Sequence, residues 1–299
     1  MPESSQNRNA PPAKAKHRVG SDVIFYLVMG GIGFIYIGLL VSMLLGDFGY
    51  LARSGDADQM LEGFPGFLKP LARPFATMIG LLHQEEIRYS IKLTLISCLM
   101  SSILSVIVAI PIGYLFSRYN FFGKTVLDAI LYVPIVLPPL VLGISLLVLF
   151  QFPPFKNFAP YFVFQIPGVV LAQFMVAAAF SIQMMRATFD QIDPRLERVA
   201  LTLGCNERQA FSRVCLPQAW HGILTAGTLA WARALGEFGP LLVFAGTTRN
   251  KTEVMSVSVF LELSLGHLDA AVAVSLMMVF LAVAVLVLTR VFGLRNPAI

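Results

Sequence analysis

Asp193-Pro-Arg-Leu-Glu-Arg-Val-Ala-Leu-Thr-Leu-Gly-Cys-Asn-Glu-Arg-Gln-Ala-Phe-Ser-Arg-Val-Cys-Leu-Pro217 is the one long polar segment late in a very apolar chain. Its punctuation predicts two short helices. Asp193 stands where a side chain caps free N–H groups, and Pro194 follows at a helical position that needs no N–H. Ile192, Leu196, Val199 and Leu203 recur at helical spacing and form one apolar stripe. Gly204 then falls where a helix ends in a left-handed residue. Asn206, with Gln209 three residues on, has the pattern of a capping box for a second helix. Ala210, Phe211 and Val214 supply that helix's apolar face, and Pro217 closes the segment. An apolar stripe on a polar loop needs cover. A hairpin on the lipid headgroups and a knob for a partner protein both provide it.

Outward from this loop the chain reads as membrane. Of 299 residues 57% are hydrophobic and 13% charged, a composition of polytopic membrane proteins. Uncharged or nearly uncharged runs predict six spans: 23–46, 93–116, 129–150, 168–185, 222–246 and 270–288. The organisation expected is a disordered cytoplasmic tail over 1–21, then a first span with an extracytoplasmic segment over 22–87. A transport core with five spans follows over 88–293, with its cytoplasmic loop at about 190–217, and 294–299 end the chain. Within the second part, 67–82 has the pattern of a helix lying in the interface or capping the bundle. The first run is too long for a signal peptide and no small-residue cleavage site follows it.

Orientation follows from the cations. Arg8, Lys14, Lys16, Arg18, Arg118, Lys124, the five arginines from Arg186 to Arg213, Arg290 and Arg295 make thirteen on one side, against eight on the other. The positive-inside rule then puts both termini and the 193–217 loop in the cytoplasm. Three cysteines are too few for a disulfide framework, and Cys205-x9-Cys215 without a nearby histidine is no zinc pattern. Gly123-Lys124-Thr125 lacks the upstream glycine of a phosphate loop, since that place holds Arg118.

The fifth span carries Arg233-Ala-Leu-Gly-Glu-Phe-Gly-Pro240. At about 1.5 Å per residue from the cytoplasmic side, Arg233 lies roughly 15 Å deep, and Glu237 sits one turn on, on the same face. Charges at that depth are costly and face the bundle interior or a water path. One reading is a structural ion pair. The other is a translocation path, loosened by Gly236, Gly239 and Pro240 and biased by Arg233 towards anions.

Three stretches together resemble the permease subunits of bacterial ATP-binding cassette importers. The loop is similar to their "EAA" motif, which runs Glu-Ala-Ala, three residues, Gly, nine residues, Ile, any residue, Leu-Pro. Ala200, Gly204, Val214, Leu216 and Pro217 fall in register. The name-giving positions read Arg198-Val199-Ala200, with a glutamate one place early at Glu197, so the turn is kept while the usual glutamate is not. Tyr132-Val-Pro-Ile-Val-Leu-Pro-Pro-Leu-Val-Leu-Gly143 looks like the family's third-span signature. Residues 232–239 are similar to the fifth-span signature of molybdate, tungstate and sulfate permeases.

The resemblance implies an all-α polytopic membrane protein with six transmembrane helices and the type I importer permease fold. It implies a non-catalytic subunit that translocates an oxyanion by alternating access, molybdate first, tungstate or sulfate next. The ATPase-coupling residues would be Arg198, Ala200, Leu203, Gly204, Ala210, Phe211, Val214 and Pro217. Arg233, Gly236, Glu237 and Gly239 would form the path or a structural ion pair. No cofactor is expected in this chain, because ATP and magnesium would be bound by a separate cytoplasmic ATPase. The other partners implied are an extracytoplasmic binding protein, a second permease subunit (an identical copy is the first choice) and the lipid bilayer, with no nucleic acid. A permease for iron, thiamine or polyamine is the alternative. An ion-coupled secondary transporter is more distant, since it needs coupling carboxylates in its spans and Glu237 alone qualifies.

Overall fold

The computed structural model describes residues 19–53 and 69–294. The predicted tail through residue 18, residues 54–68 of the expected extracytoplasmic segment and residues 295–299 lie outside them. The chain divides at Gly49 and Tyr50 into two units. The first is one helix, α1 (Val19–Arg53), which begins within the stretch expected as tail and whose last residues open the second unit. Phe34, Ile35 and Tyr36 are each well exposed on it, as side chains facing lipid rather than a core are.

The second unit is built of helices joined by short turns, with no strand among its described residues. The sequence suggestion at 67–82 is met by α2 (Lys69–Leu82). After it come α3 (Glu85–Arg118), α4 (Lys124–Val136), α5 (Pro139–Leu149), a 3-10 turn at Phe155–Phe158, α6 (Ala159–Phe162) and α7 (Ile166–Gln191). The polar loop after α7 holds α8 (Pro194–Thr202), α9 (Glu207–Ala210), a π turn (Phe211–Cys215) and α10 (Leu216–Gln218). The unit closes with α11 (Trp220–Leu235), a second π turn (Leu241–Ala245), α12 (Met255–Ser264) and α13 (Leu268–Leu294).

α7 is the central helix, with 67% of its apolar window buried, against 44% for α3 and 28% for α13. The α3 face turned inward is hydroxylic rather than greasy: Ser90, Thr94, Ser97, Ser101 and Ser105 are all buried. Small residues let helix backbones approach closely where lipid offers no hydrophobic drive for association. Their hydroxyls also find carbonyls across the interface. Ser101 Oγ donates to Val170 O at 2.9 Å, Ser102 Oγ to Gly227 O at 2.7 Å and Ser181 Oγ to Ala226 O at 3.2 Å. Beyond them Ile182, Met185, Phe189, Ile192, Cys215 and Ala219 form the apolar core that seats the 193–217 loop.

Two of the six expected spans are discontinuous. Four described helices are long and apolar enough to cross a membrane, and α4 with α5 makes a fifth only as a pair bent by 113°. Pro138-Pro139 explains that bend, since neither residue can donate a helical hydrogen bond. The expected span 222–246 is α11, a break at Gly236–Pro240 and the π turn. Gly236 and Gly239 remove helix propensity there and Pro240 removes an N–H, so the chain restarts with wider i→i+5 bonding, Gly246 N to Leu241 O at 2.9 Å.

The two breaks pack against each other. A Cβ on Gly239 would lie 2.8 Å from Pro139 Cβ and 2.9 Å from Leu140 N, and one on Gly143 would lie 2.9 Å from Pro240 Cα. Glycine at both places lets the interrupted backbones touch.

Candidate functional site

The 193–217 loop folds as its punctuation predicts. Asp193 accepts from Arg195 N at 2.9 Å, capping α8. The helix ends in a full Schellman motif: Cys205 N donates to Ala200 O and Gly204 N to Leu201 O, both at 3.1 Å, with Gly204 at φ 91°. Asn206 and Gln209 exchange both capping-box bonds, at 2.8 and 3.0 Å. Pro217 cannot donate to Arg213 O, and the turn just before it widens to π. Helix, turn and helix are therefore fixed by local bonds.

The apolar stripe of α8 is largely uncovered within this chain. Ile192 is buried, yet Leu196, Val199 and Leu203 are exposed, Leu203 to 80%. The buried side of α8 carries Glu197 and Ala200. Glu197 accepts from Tyr114 Oη at 2.7 Å and from Arg118 Nε at 2.8 Å. Arg118 also donates to Phe189 O at 2.9 Å and Ile192 O at 3.0 Å, satisfying carbonyls at the end of α7. An ion pair seats the helix and leaves the stripe on its outer side.

Among the proposed coupling residues, Arg198, Leu203, Gly204 and Pro217 are exposed, and Val214 is half-buried. Ala200 and Ala210 point inward, and Phe211 stacks edge-on against Tyr114 with ring centres 4.6 Å apart. Those three anchor the loop; Leu203 and Arg198 present its surface. The pairing residues Tyr114, Arg118 and Glu197 escaped sequence reasoning. Their signal was there: Tyr114 and Arg118 are four apart at the end of a span, opposite the one glutamate in α8. A second such link, Arg186 Nη1 to Asp128 Oδ1 at 2.6 Å, ties α7 to α4. Burial, joined by the nearby Glu197 charge, pushes the Cys215 thiol up to about 11.

In the membrane, Arg233 and Glu237 meet as their spacing predicts, Nη1 to Oε1 at 2.6 Å. They are unequal. Glu237 is 1% exposed, whereas Arg233 keeps 31% of its side chain open, with its guanidinium 5.5 Å from the centre of the Phe180 ring. Gly236 lies exposed at the α11 break beside them and Gly239 is buried against Pro139.

The comparisons with known proteins agree with this architecture. Residues 103–296 match the family of binding-protein-dependent transport system inner membrane components. The chain is 30% identical over 231 residues to the molybdate/tungstate transport system permease protein WtpB of Thermococcus kodakarensis, covering 77% of this chain and 88% of that one. It is 34% identical over 213 residues to a probable molybdenum ABC transporter permease protein of Haloferax volcanii, covering 68% and 74%. It is 30% identical over 210 residues to the sulfate transport system permease protein CysT of Salmonella typhimurium, covering 69% and 75%. Among solved structures, a bacterial ABC transporter that imports the acidic polysaccharide alginate superposes with a TM-score of 0.69 at 18% identity, over 94% of this chain and all of that one, a likeness of fold. The chain belongs to the family of inner-membrane permease components of binding-protein-dependent transport systems, and is a non-catalytic transport subunit with the ABC importer permease fold.

Proposed function

We propose that this subunit carries a small tetrahedral oxyanion into the cell, molybdate first, with tungstate and sulfate next. The observation that carries the reading is the asymmetry of the intramembrane pair. Glu237 is sealed in protein while Arg233 keeps a third of its side chain open beside the α11 break, so the accessible charge in the bundle is positive. Related permeases named for molybdate, tungstate and sulfate support the same substrate class.

The subunit works with an extracytoplasmic binding protein that delivers the anion, and with a second permease, in the simplest assembly an identical copy. A cytoplasmic ATPase pair binds ATP and magnesium. Both termini lie in the cytoplasm, with the exposed apex of the loop, Leu203 and Arg198, against the ATPase. Nucleotide-driven motion reaches α3 and α7 through the Glu197–Arg118 pair and the Phe211–Tyr114 stack.

Proteoliposomes containing permease, ATPase and binding protein test this. ATP-dependent molybdate uptake, inhibited by tungstate and lost in Arg233→Gln, is the expected result. Uptake of thiamine, iron or a polyamine with no response to oxyanions would overturn it.

A further inference from the structure

Arg233 differs from the other ion-paired arginines in how its donors are spent. Arg118 uses Nε on Glu197, Nη1 on Phe189 O and Nη2 on Ile192 O, so the fold consumes its fork. Arg186 closes a hydrogen bond to Asp128 at 2.6 Å, and Arg249 donates to both Glu86 and Glu262. Arg233 Nη1 lies just as close to Glu237 Oε1, yet that buried oxygen receives no aligned hydrogen bond. Among the described residues none of the Arg233 N–H groups closes one. The contact balances charge and leaves the donors unspent.

Two neighbouring helices hold the group in that state. Ser256 Oγ of α12 donates to Glu237 O at 2.7 Å, fixing the backbone that carries the carboxylate. Phe180 of α7 sets its ring 5.5 Å from the guanidinium carbon, and that ring packs against the core containing Val176, Leu241 and Phe244. A ring face attracts a cation without accepting its N–H groups. A carboxylate or carbonyl in the same place would occupy the fork. Aromatic support therefore keeps the donors available to an anion, whose paired oxygens suit the planar guanidinium.

We propose that Phe180 is a positioning residue for oxyanion passage, its ring holding the Arg233 guanidinium beside the Gly236 break with donors free for the anion. This rests on the reading of Arg233 as the accessible positive charge of the path, and adds what holds that charge. A side chain that only packs needs volume. One that holds a cation needs the negative face of its ring.

The test is ATP-dependent molybdate uptake by proteoliposomes containing the ATPase, the binding protein and the full chain. Position 180 carries phenylalanine or its singly, doubly and triply fluorinated forms, which drain the ring face of electron density and barely change its size. Uptake at saturating molybdate is expected to fall stepwise, by about fivefold at the triply fluorinated ring, while the melting midpoint in detergent stays put. Phe180→Leu, apolar but without a ring, is expected to transport no better than that last form. Equal uptake across the series, or wild-type uptake in Phe180→Leu, would assign Phe180 to packing and overturn the proposal. A loss that tracks a falling midpoint would overturn it as well. Arg233→Gln, measured alongside, separates the two levels: wild-type uptake there means that the path reading itself fails, and the proposal with it.

Discussion

Arg118 and Glu197, 79 residues apart in the chain, meet at 2.8 Å with only 9% and 12% of their side chains exposed. One guanidinium thus joins the end of α3, the last carbonyls of α7 and the inward face of α8. Removing one member of a buried pair strands the other, at about 3–5 kcal/mol. Glu197→Ala is expected to free the loop from the bundle, while Glu197→Gln keeps an acceptor for Arg118 and costs less. Amide hydrogen exchange over 193–217 is the measurement. Unchanged protection in Glu197→Ala would show that the pair does not hold the loop.

The two glycines of the α11 break are expected to behave oppositely. Gly236 has nothing closer than 3.9 Å to an added Cβ, so Gly236→Ala leaves the fold intact. Gly239→Ala drives a methyl into the Pro139–Leu140 backbone and must part the two interrupted spans. Overpacking of this kind costs about 1–3 kcal/mol or more. Thermal unfolding in detergent should show a lower midpoint for Gly239→Ala alone. Equal midpoints would mean that the breaks do not rely on contact.

That contact marks where sequence reading stops. The caps, the Gly204 turn and the Arg233–Glu237 spacing are local, and each was legible from a few neighbouring residues. The prolines at 138, 139 and 240 announced irregular spans. They did not announce that Gly143 would meet Pro240, or Gly239 Pro139, because pairing between distant segments leaves no periodicity. The partner of Glu197 was not legible for the same reason. An apolar stripe is visible in one helix, but a buried carboxylate needs its partner from another.

The intramembrane pair allows two roles to be separated. Arg233→Ala strands a carboxylate that is 1% exposed, so it should harm assembly more than Arg233→Ala with Glu237→Ala. If Arg233 draws the anion, the double variant assembles normally and stays inactive in uptake. Full uptake by a stably assembled double variant would remove Arg233 from the path.

Glu253 makes stability depend on pH. It is fully buried, with Oε1 accepting from Ser258 at 2.8 Å and Oε2 without a hydrogen-bond partner among the described residues. Burial chiefly, aided by Glu86 and Glu262, raises its pKa against the opposing pull of Ser258 and Arg249. A raised folded-state value means the native protein holds the proton more tightly than the unfolded chain does. Stability therefore falls as pH rises above the ordinary carboxylate range, 4.5 and upward. Glu253→Gln should flatten that decline in detergent melts taken between pH 5 and 8. An unchanged slope would assign the dependence elsewhere.

Gly204 gives the most direct test of the 193–217 knob. Its φ of 91° lies where a β-branched residue is strained, yet no atom stands within 4 Å of an added Cβ. The cost of Gly204→Val is accordingly backbone strain, about 1–3 kcal/mol, with no clash to disturb the spans. Gly204→Asn should be better tolerated, since asparagine visits the left-handed region more readily. At matched expression, Gly204→Val is expected to lose co-purifying ATPase and to lose uptake in proportion, because Leu203 and the capping box no longer hold their relative positions. Gly204→Asn should retain most of both. Normal ATPase recovery with normal uptake in Gly204→Val would mean that the partner does not read this turn, and that the loop rests on the membrane surface instead.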